Sequence, residues 1–347
     1  MPTTTATTIT FKPKQVTKKI LDALPERARD IVTNRYGLGA SDDKQTLESI
    51  GKKYDITRER VRQIEEYSLS NIRKSEDFVK LNPVFDELKN IVDSLGGVVD
   101  EEELLDIISK NKSIQNHIHF LLVLGDPFVR LKENNEFTCR WCVNEPLAKK
   151  IETSIKAMYE KLKEDEIVSE AELVEEFLNH IKEVSAHHKN DEIVKRWLNT
   201  SKKIKKNPLG EWGKADSPNI NVKGMRDYAY LVIRRHGSPI HFREVAEQIS
   251  KLFNKKAHVA TTHNELIKDS RFVLVGRGLY ALSDWGYMSG VVRDVINNVI
   301  NKNGPMTKEE IIDKVLKERY VKENTILVNL QNPKFFKKDV KGKYSIA

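Results

Sequence analysis

The C-terminal three-quarters of the chain repeats one pattern of apolar runs, and this repeat most limits what the chain can fold into. Each copy spans roughly 65 residues and carries three stretches with helical apolar spacing. Two short apolar runs around a Gly-containing turn follow, as in a β-hairpin. Three helices followed by a hairpin is the winged-helix order, so the repeat predicts several small modules rather than one large core.

The last two copies are the clearest. The first of them has helical patterns at 225–235, 242–253 and 259–268, then apolar runs at 272–275 and 279–282. The final copy has them at 291–301, 308–318 and 325–330, with hairpin residues between 334 and 346. Fainter copies cover 82–143 and 150–214.

We therefore expect a mainly α fold, in which a helix-turn-helix domain is followed by serial winged-helix modules with small β-hairpin wings. The Thr-rich start has no core-forming pattern and is expected to be disordered. The predicted segments are an arm at 1–14, a helix-turn-helix domain at 15–77, and winged-helix-like domains at 78–148, 149–218, 219–285 and 286–347.

Charge is distributed unevenly along the chain, whose net charge is +8. Residues 12–75 carry 15 Lys and Arg against 10 Asp and Glu, whereas residues 76–150 carry 9 against 14. Residues 220–285 and 286–347 are again basic, with 11 against 6 and 12 against 7. Basic segments suit phosphate backbones, so the two ends are the expected nucleic-acid-binding parts. Ordinary scatter in charge is the alternative for any one segment.

Composition excludes several classes of protein. Two cysteines cannot build a disulfide scaffold, and no apolar run reaches the ~18–20 residues that span a bilayer. The N-terminus lacks an apolar signal region. We expect a cytoplasmic, nucleoid-associated protein that has no membrane partner and needs no cofactor or metal.

The stretch from Thr46 to Glu65 has the pattern of a helix-turn-helix. Leu47 and Ile50 supply the apolar face of a first short helix, and Gly51 leaves room where a second helix crosses it. Asp55 suits the turn because it tolerates a left-handed backbone. Thr57 is a favoured N-cap for the second helix.

That second helix has two faces when its residues are placed about 100° apart. Val61 and Ile64 fall on an apolar face, and Arg58, Glu59, Arg62 and Gln63 fall on the opposite face. Arg reads guanine, Gln reads adenine and Glu accepts from cytosine in a major groove. On residue types alone, a solvated charged helix face is the alternative; the complete pattern favours base reading.

Residues 21–75 resemble region 4 of primary bacterial sigma factors, both at Thr57-Arg-Glu-Arg-Val-Arg-Gln-Ile-Glu65 and at Arg35-Tyr36-Gly37-Leu38. In that family the second helix reads the minus-35 promoter element. The resemblance implies that Arg58, Glu59 and Gln63 contact bases. It places Arg60, Arg62 and Thr46 on backbone or neighbouring bases, and Thr57 belongs to the same DNA-binding set.

The resemblance also implies a protein partner. The preceding helix, about Lys18 to Tyr36, resembles the part that grips the β flap of core RNA polymerase. Its apolar residues are expected to build the domain core and leave a partner surface; they are Leu21, Leu24, Ile31 and Val32. Only about twenty residues precede the match. We therefore expect a chain without the promoter-melting sigma domains.

Residues from about 220 to 285 resemble the HARE-type winged helix found in the polymerase delta subunit, through Pro239-Ile-His-Phe-Arg-Glu-Val-Ala246 and Gly278-Leu-Tyr-Ala-Leu282. This resemblance implies association with DNA, chromatin or polymerase rather than catalysis. Arg277 lies at the tip of the predicted wing. It is either a phosphate contact or a solvated turn residue.

Other signals are discounted. Cys139-Arg-Trp-Cys142 is a single CxxC without a second ligand pair. His187-His188 lies in a polar stretch, and His241 stands at a helix start. Glu101-Glu102-Glu103 favours a helix dipole rather than a metal. The lysine run at 202–206 is either a solvated loop or a phosphate contact.

The sequence therefore predicts a non-enzymatic, sigma-like transcription protein that binds double-stranded promoter DNA and core RNA polymerase. One alternative is a regulator that occupies polymerase and competes with a true sigma factor. The other is a DNA-binding subunit of a restriction or repair enzyme, because HARE-type modules accompany nucleases.

Overall fold

The structure is a computed structural model that describes residues 9–181, 190–288 and 290–347. Contacts divide the chain into two units, Met1–Glu164 with Val168–Lys205, and Asp165–Ile167 with Lys206–Ala347. Helices dominate, and the sheets are small and antiparallel. The predicted fold class is confirmed, whereas the limits of the five predicted domains stay predictions.

The first unit begins with a helical domain. Its helices are α1 (Pro13–Asp22), α2 (Glu26–Tyr36), α3 (Leu47–Tyr54), α4 (Arg58–Arg73) and the short α5 (Glu76–Val79). The sequence predicted one helix from about Lys18 to Tyr36, and the structure corrects this to two. Pro25 causes the break, because its extended backbone (ψ 144°) precedes α2 and proline cannot donate the next helical hydrogen bond.

The segment just before α1 is packed onto the domain. The Thr10 backbone N–H and hydroxyl both donate to the Glu87 carboxylate at 2.6 Å. Ile9 and Phe11 lie half-buried against the core. The predicted disordered arm therefore does not extend to residue 14, because two apolar side chains and one carboxylate hold residues 9–12. Residues 1–8 lie outside the described residues.

A winged helix follows. Its elements are α6 (Asn82–Ser94), β1 (Val98–Asp100), α7 (Glu101–Ile108), α8 (Lys112–Leu124), β2 (Val129–Leu131) and β3 (Arg140–Cys142). Strand β3 is central in the sheet, and Cys142 lies opposite both Val98 and Val129. Trp141 on β3 is buried in the core of this module.

Helix α8 joins this winged helix to the helical domain. Ten of its 13 residues are buried. The Thr17 hydroxyl and His117 Nδ1 are 2.6 Å apart, and the Asn116 amide donates to the carbonyls of Gly37 (3.0 Å) and Asp42 (2.8 Å). One continuous apolar core, which includes Val32 and Phe120, runs through both parts.

Three more helices and two strands complete the pattern a second time. They are α9 (Glu145–Lys161), α10 (Glu170–His180), α11 (Asp191–Asn199), β4 (Ile204–Lys206) and β5 (Trp212–Lys214). In the first unit, Phe177 and Trp197 pack with their ring centroids 6.0 Å apart. The Trp197 indole N–H donates to the Gly96 carbonyl at 3.1 Å and so fixes α11 beside β1.

The second unit contains two further winged helices. The elements of the first are α12 (Met225–His236), β6 (Ile240–His241), α13 (Phe242–Phe253), α14 (Val259–Lys268), β7 (Phe272–Leu274) and β8 (Leu279–Leu282). Strand β8 lies between β6 and β7. The ion pairs of Arg271 with Asp227 (2.9 Å) and Asp269 (2.7 Å) fix the start of α12 against the end of α14.

The last winged helix has the same order. Its elements are α15 (Val292–Asn303), α16 (Lys308–Glu318), α17 (Glu323–Leu330), β9 (Phe336–Lys338) and β10 (Tyr344–Ile346). An antiparallel bridge pairs Met306 with Tyr344 and gives the hairpin a third partner. The Tyr320 N–H donates to the Val275 carbonyl at 2.7 Å, which ties this module to β7 of the preceding one.

Candidate nucleic-acid interface

Helices α3 and α4 form a helix-turn-helix whose turn needs two particular residues. Asp55 has a left-handed backbone (φ 53°), which short polar side chains tolerate. A Cβ placed on Gly51 would lie 2.6 Å from the Ile56 carbonyl oxygen. Any larger residue at position 51 would therefore push the turn away from α3. Both roles were predicted from the sequence.

Threonine caps begin both helices. Thr46 Oγ1 accepts the Ser49 N–H, and Thr57 Oγ1 accepts the Arg60 N–H, each at 3.1 Å. The predicted N-cap at Thr57 is confirmed. Both threonines are exposed, so their hydroxyl protons stay available to an acceptor outside the protein.

One face of α4 is packed inside the domain. Val61 is fully buried with Ile31 and Ile50, and Ile64 lies half-buried against them. Further along the helix, Leu69 and Ile72 enter the core shared with the winged helix. These contacts fix the rotation of α4 about its axis.

The opposite face of α4 is exposed at its N-terminal end. The predicted site residues on this face are all exposed; they are Arg58, Glu59, Arg60, Arg62 and Gln63. Helical spacing places Arg58, Glu59, Arg62 and Gln63 side by side on this face. The structure thus brings the predicted residues together, and their contacts with DNA stay a prediction.

Within this face, Arg62 is held by two carboxylates of its own helix. It donates to Glu59 at 2.9 and 2.5 Å and also to Glu66. The hydrogen bond from Arg62 lowers the pKa of the Glu59 carboxyl. Arg60 donates to the Gln63 amide oxygen at 3.1 Å. A base that contacts Glu59 or Arg62 competes with these solvent-exposed bonds or uses the donors and acceptors that they leave free, whereas Arg58 has no side-chain hydrogen bond among the described residues.

The apolar residues expected on the preceding helix build the core. Leu21, Leu24, Ile31 and Val32 are all buried. Leu21, Leu24 and Val32 contribute to the core that α8 shares. The exposed part of α1 and α2 is therefore polar, with Lys18, Lys19 and Glu26 among its residues. Any partner surface on these two helices is charged rather than apolar.

Arg277 lies where the sequence placed it, exposed in the turn between β7 and β8. Gly278 has a left-handed backbone (φ 72°), and a Cβ there would come within 2.5 Å of His241 Nε2. This turn therefore requires glycine. Arg277 is the one charged residue between Phe272 and Leu282.

The residues that the sequence analysis set aside have structural roles or partners in the fold. Cys142 is buried in β3, and burial raises the pKa of its thiol to about 11. Glu101 begins α7 and binds Arg130 at 2.6 and 2.8 Å. His241 caps α13 by accepting the Arg243 N–H at 3.3 Å. Lys202 binds Glu133. The pair His187-His188 lies outside the described residues.

Sequence reasoning found the C-terminal end basic but did not locate its densest group of exposed cations, which lies on the last hairpin. It used residues 334–346 only as hairpin residues. Five lysines stand within ten residues there, and all five are exposed; they are Lys334, Lys337, Lys338, Lys341 and Lys343. Their density was visible in the sequence and could have identified this wing.

This helix-turn-helix domain also matches known proteins. Residues 20–74 match the family model described as Sigma-70, region 4. The sigma factor RpoD of Neisseria gonorrhoeae is 42% identical over 59 residues, which are 17% of this chain and 9% of the relative. The sigma factor SigA of Nostoc sp. is 48% identical over 56 residues, 16% of this chain and 14% of the relative.

RpoD of Helicobacter pylori strain 26695 is 43% identical over 56 residues, 16% of this chain and 8% of the relative. The chain thus covers only about a tenth of the length of these sigma factors. Residues 20–74 are thus similar to region 4 of sigma-70 factors, a class of DNA-binding transcription domains, and we refer to this part of the chain as the region 4 domain. In the described part of the chain, no helix is long and apolar enough to cross a membrane.

Proposed function

We propose that the chain is a sigma-like transcription protein that reads a minus-35-like element in double-stranded promoter DNA through α4. The exposed face of Arg58, Glu59 and Gln63, on a helix whose other face is buried, is the observation that carries the proposal. Arg and Gln recognise guanine and adenine with paired hydrogen bonds, and Glu accepts from cytosine. The match of residues 20–74 to Sigma-70, region 4 supports the same assignment.

A double variant tests base reading. Arg58→Ala with Gln63→Ala is expected to reduce the preference for the best site by about 1–3 kcal/mol per lost base contact, roughly 5- to 150-fold each. Fluorescence anisotropy on a randomised duplex library measures this preference.

The matched control is Gln15→Ala with Lys18→Ala, which removes one amide and one cation from the exposed face of α1. It is expected to keep the preference. If the Arg58 and Gln63 variant lost the same affinity for every duplex, base reading would be refuted.

We also propose that the region 4 domain associates with core RNA polymerase, at the β flap. The names of the relatives support this, because each is an RNA polymerase sigma factor. Pull-down with core polymerase tests it. Removing the polar side chains of Arg58, Arg62 and Gln63 is expected to abolish promoter footprints while polymerase stays bound. If the variant lost the promoter footprint and polymerase binding together, the association with polymerase would depend on DNA instead.

We propose further that the chain is not an enzyme. This proposal is tested by incubating the purified chain with duplex DNA and Mg²⁺. Intact DNA is the expected result. Strand cleavage that co-purifies with the chain would favour a nuclease-linked role.

A further inference from the structure

The four hairpins that follow helix triplets differ sharply in charge. The first winged helix has Arg130 and Arg140 on its wing strands, and each is paired, with Glu101 and Glu152. The wing of β7 and β8 carries only Arg277. The last wing carries five lysines and a single acidic residue, Asp339.

The one carboxylate of the last wing is used inside its own turn. Asp339 Oδ1 accepts the Lys343 N–H at 2.8 Å, and the Asp339 N–H donates to the Lys343 carbonyl at 2.8 Å. Gly342, with φ 84°, completes this three-residue turn in the way such hairpins require. Asp339 therefore shapes the turn instead of pairing with a lysine side chain.

The lysines are available to an external anion. Among the described residues, none of the five forms an ion pair; Lys338 lies 5.7 Å from the ring centre of Tyr344, and Lys343 lies near enough to Glu310 to help lower the pKa of that carboxyl. Phe336 is buried, and β9 pairs Lys337 with Ser345. Alternation along a strand then turns Lys337 and Lys343 away from the core on one face, with Lys341 in the turn beside them.

The first winged helix offers no equivalent surface. Its third helix, α8, is the element that would enter a groove in a helix-turn-helix protein, and it is buried against α1 and α2. The hairpin at its wing tip, residues 132–139, holds two glutamates and one lysine. The hairpin of β4 and β5 also carries lysines, but Lys202 is ion-paired with Glu133, Lys205 is half-buried, and Lys206 lies 4.8 Å from the ring centre of Trp212. Among the described hairpins, five exposed lysines without an ion pair occur on the last wing.

We propose that the hairpin of β9 and β10 is a second DNA-binding site, which holds the phosphate backbone of duplex DNA without reading its sequence. Unpaired exposed ammonium groups neutralise phosphates and release counterions, which gives affinity without base discrimination. The choice of duplex DNA rests on the proposed function of the region 4 domain. The wing increases affinity for any duplex, and α4 supplies the sequence preference.

The test uses the full chain and a 30-base-pair duplex that lacks a minus-35-like element. The variant is Lys337→Gln with Lys341→Gln and Lys343→Gln. The plot of log affinity against log salt concentration is expected to flatten by about 0.9 for each lysine that contacts a phosphate. The charge-keeping Lys→Arg triple is expected to restore the slope.

A matched control removes three exposed lysines from the first winged helix, as Lys89→Gln with Lys112→Gln and Lys132→Gln. It loses the same net charge and is expected to keep the slope. An equal change in both Gln triples would overturn the proposal, because net charge alone would then explain it. Circular dichroism confirms that each variant is folded.

Two further probes distinguish duplex DNA from other ligands of the wing. They are a single-stranded RNA of 30 nucleotides and vesicles that contain phosphatidylserine. Loss of RNA or vesicle binding in the wing triple, with duplex binding unchanged, would overturn the DNA assignment. A failure of the proposed function would give a different result, because the chain would then show no sequence preference through α4. If that preference is absent but the slope still falls in the wing triple, the wing site stands by itself.

Discussion

His119 is a buried titratable residue at the junction of the region 4 domain and the first winged helix. Its ring packs against Tyr36 and Trp141, with centroid distances of 6.0 Å to each, and Nε2 lies 3.7 Å from Glu101. Burial lowers the pKa of His119 to about 4, and the cations Lys44, Arg130 and Arg35 act in the same direction while Glu101 opposes them.

This lowered pKa predicts acid sensitivity. Between pH 6.5 and pH 4 the unfolded chain binds a proton at His119 that the folded chain does not, so stability falls as pH falls. The loss from this group reaches about 3 kcal/mol at pH 4. In His119→Gln, the urea midpoint is expected to depend less on pH across this window, whereas the exposed His236→Gln variant keeps the wild-type dependence. Parallel curves for all three proteins would contradict this account.

At the scale of elements, the turn between α3 and α4 sets the position of the DNA-facing helix. Gly51→Ala would place a Cβ 2.6 Å from the Ile56 carbonyl oxygen. The overlap costs typically about 1–3 kcal/mol, against which alanine gains up to about 1 kcal/mol of helix propensity. A net loss of stability and weaker DNA binding are expected, measured by urea unfolding and anisotropy.

Gly224→Ala is the control, because its nearest neighbouring atom would be 3.7 Å from the new Cβ. It is expected to unfold like the wild type. If Gly51→Ala were equally stable, the close approach at this turn would not matter.

How far the elements follow from the sequence depends on how local their causes are. Thr57, Gly51 and Asp55 act within a few residues, so the helix-turn-helix was predicted with its cap and its turn. The helix predicted across residues 18–36 was wrong because apolar spacing continues through Pro25, whose effect on the backbone overrides it. The burial of α8 rests on contacts such as Asn116 with Gly37, 79 residues apart, which no local pattern shows.

The whole molecule has two contact units, and the proposed DNA-binding features belong to different ones. Residues 58–63 lie in the first unit and residues 334–343 in the second. Chains with more than one domain commonly depart from a single all-or-none unfolding transition. Calorimetry is expected to show at least two transitions, and Gly51→Ala is expected to lower only one of them. A single transition that moves as a whole would contradict this.

The shared helix α8 also limits how the DNA-facing part can be reused. A fragment cut after residue 77 would lack α8, whose apolar side chains share one core with Leu21 and Val32 of α1 and α2. The carbonyls of Gly37 and Asp42 would also lose the hydrogen bonds that the Asn116 amide donates to them. The shortest fragment that keeps this core closed therefore extends to the end of β3. A fusion protein built from the region 4 domain alone would expose an apolar surface.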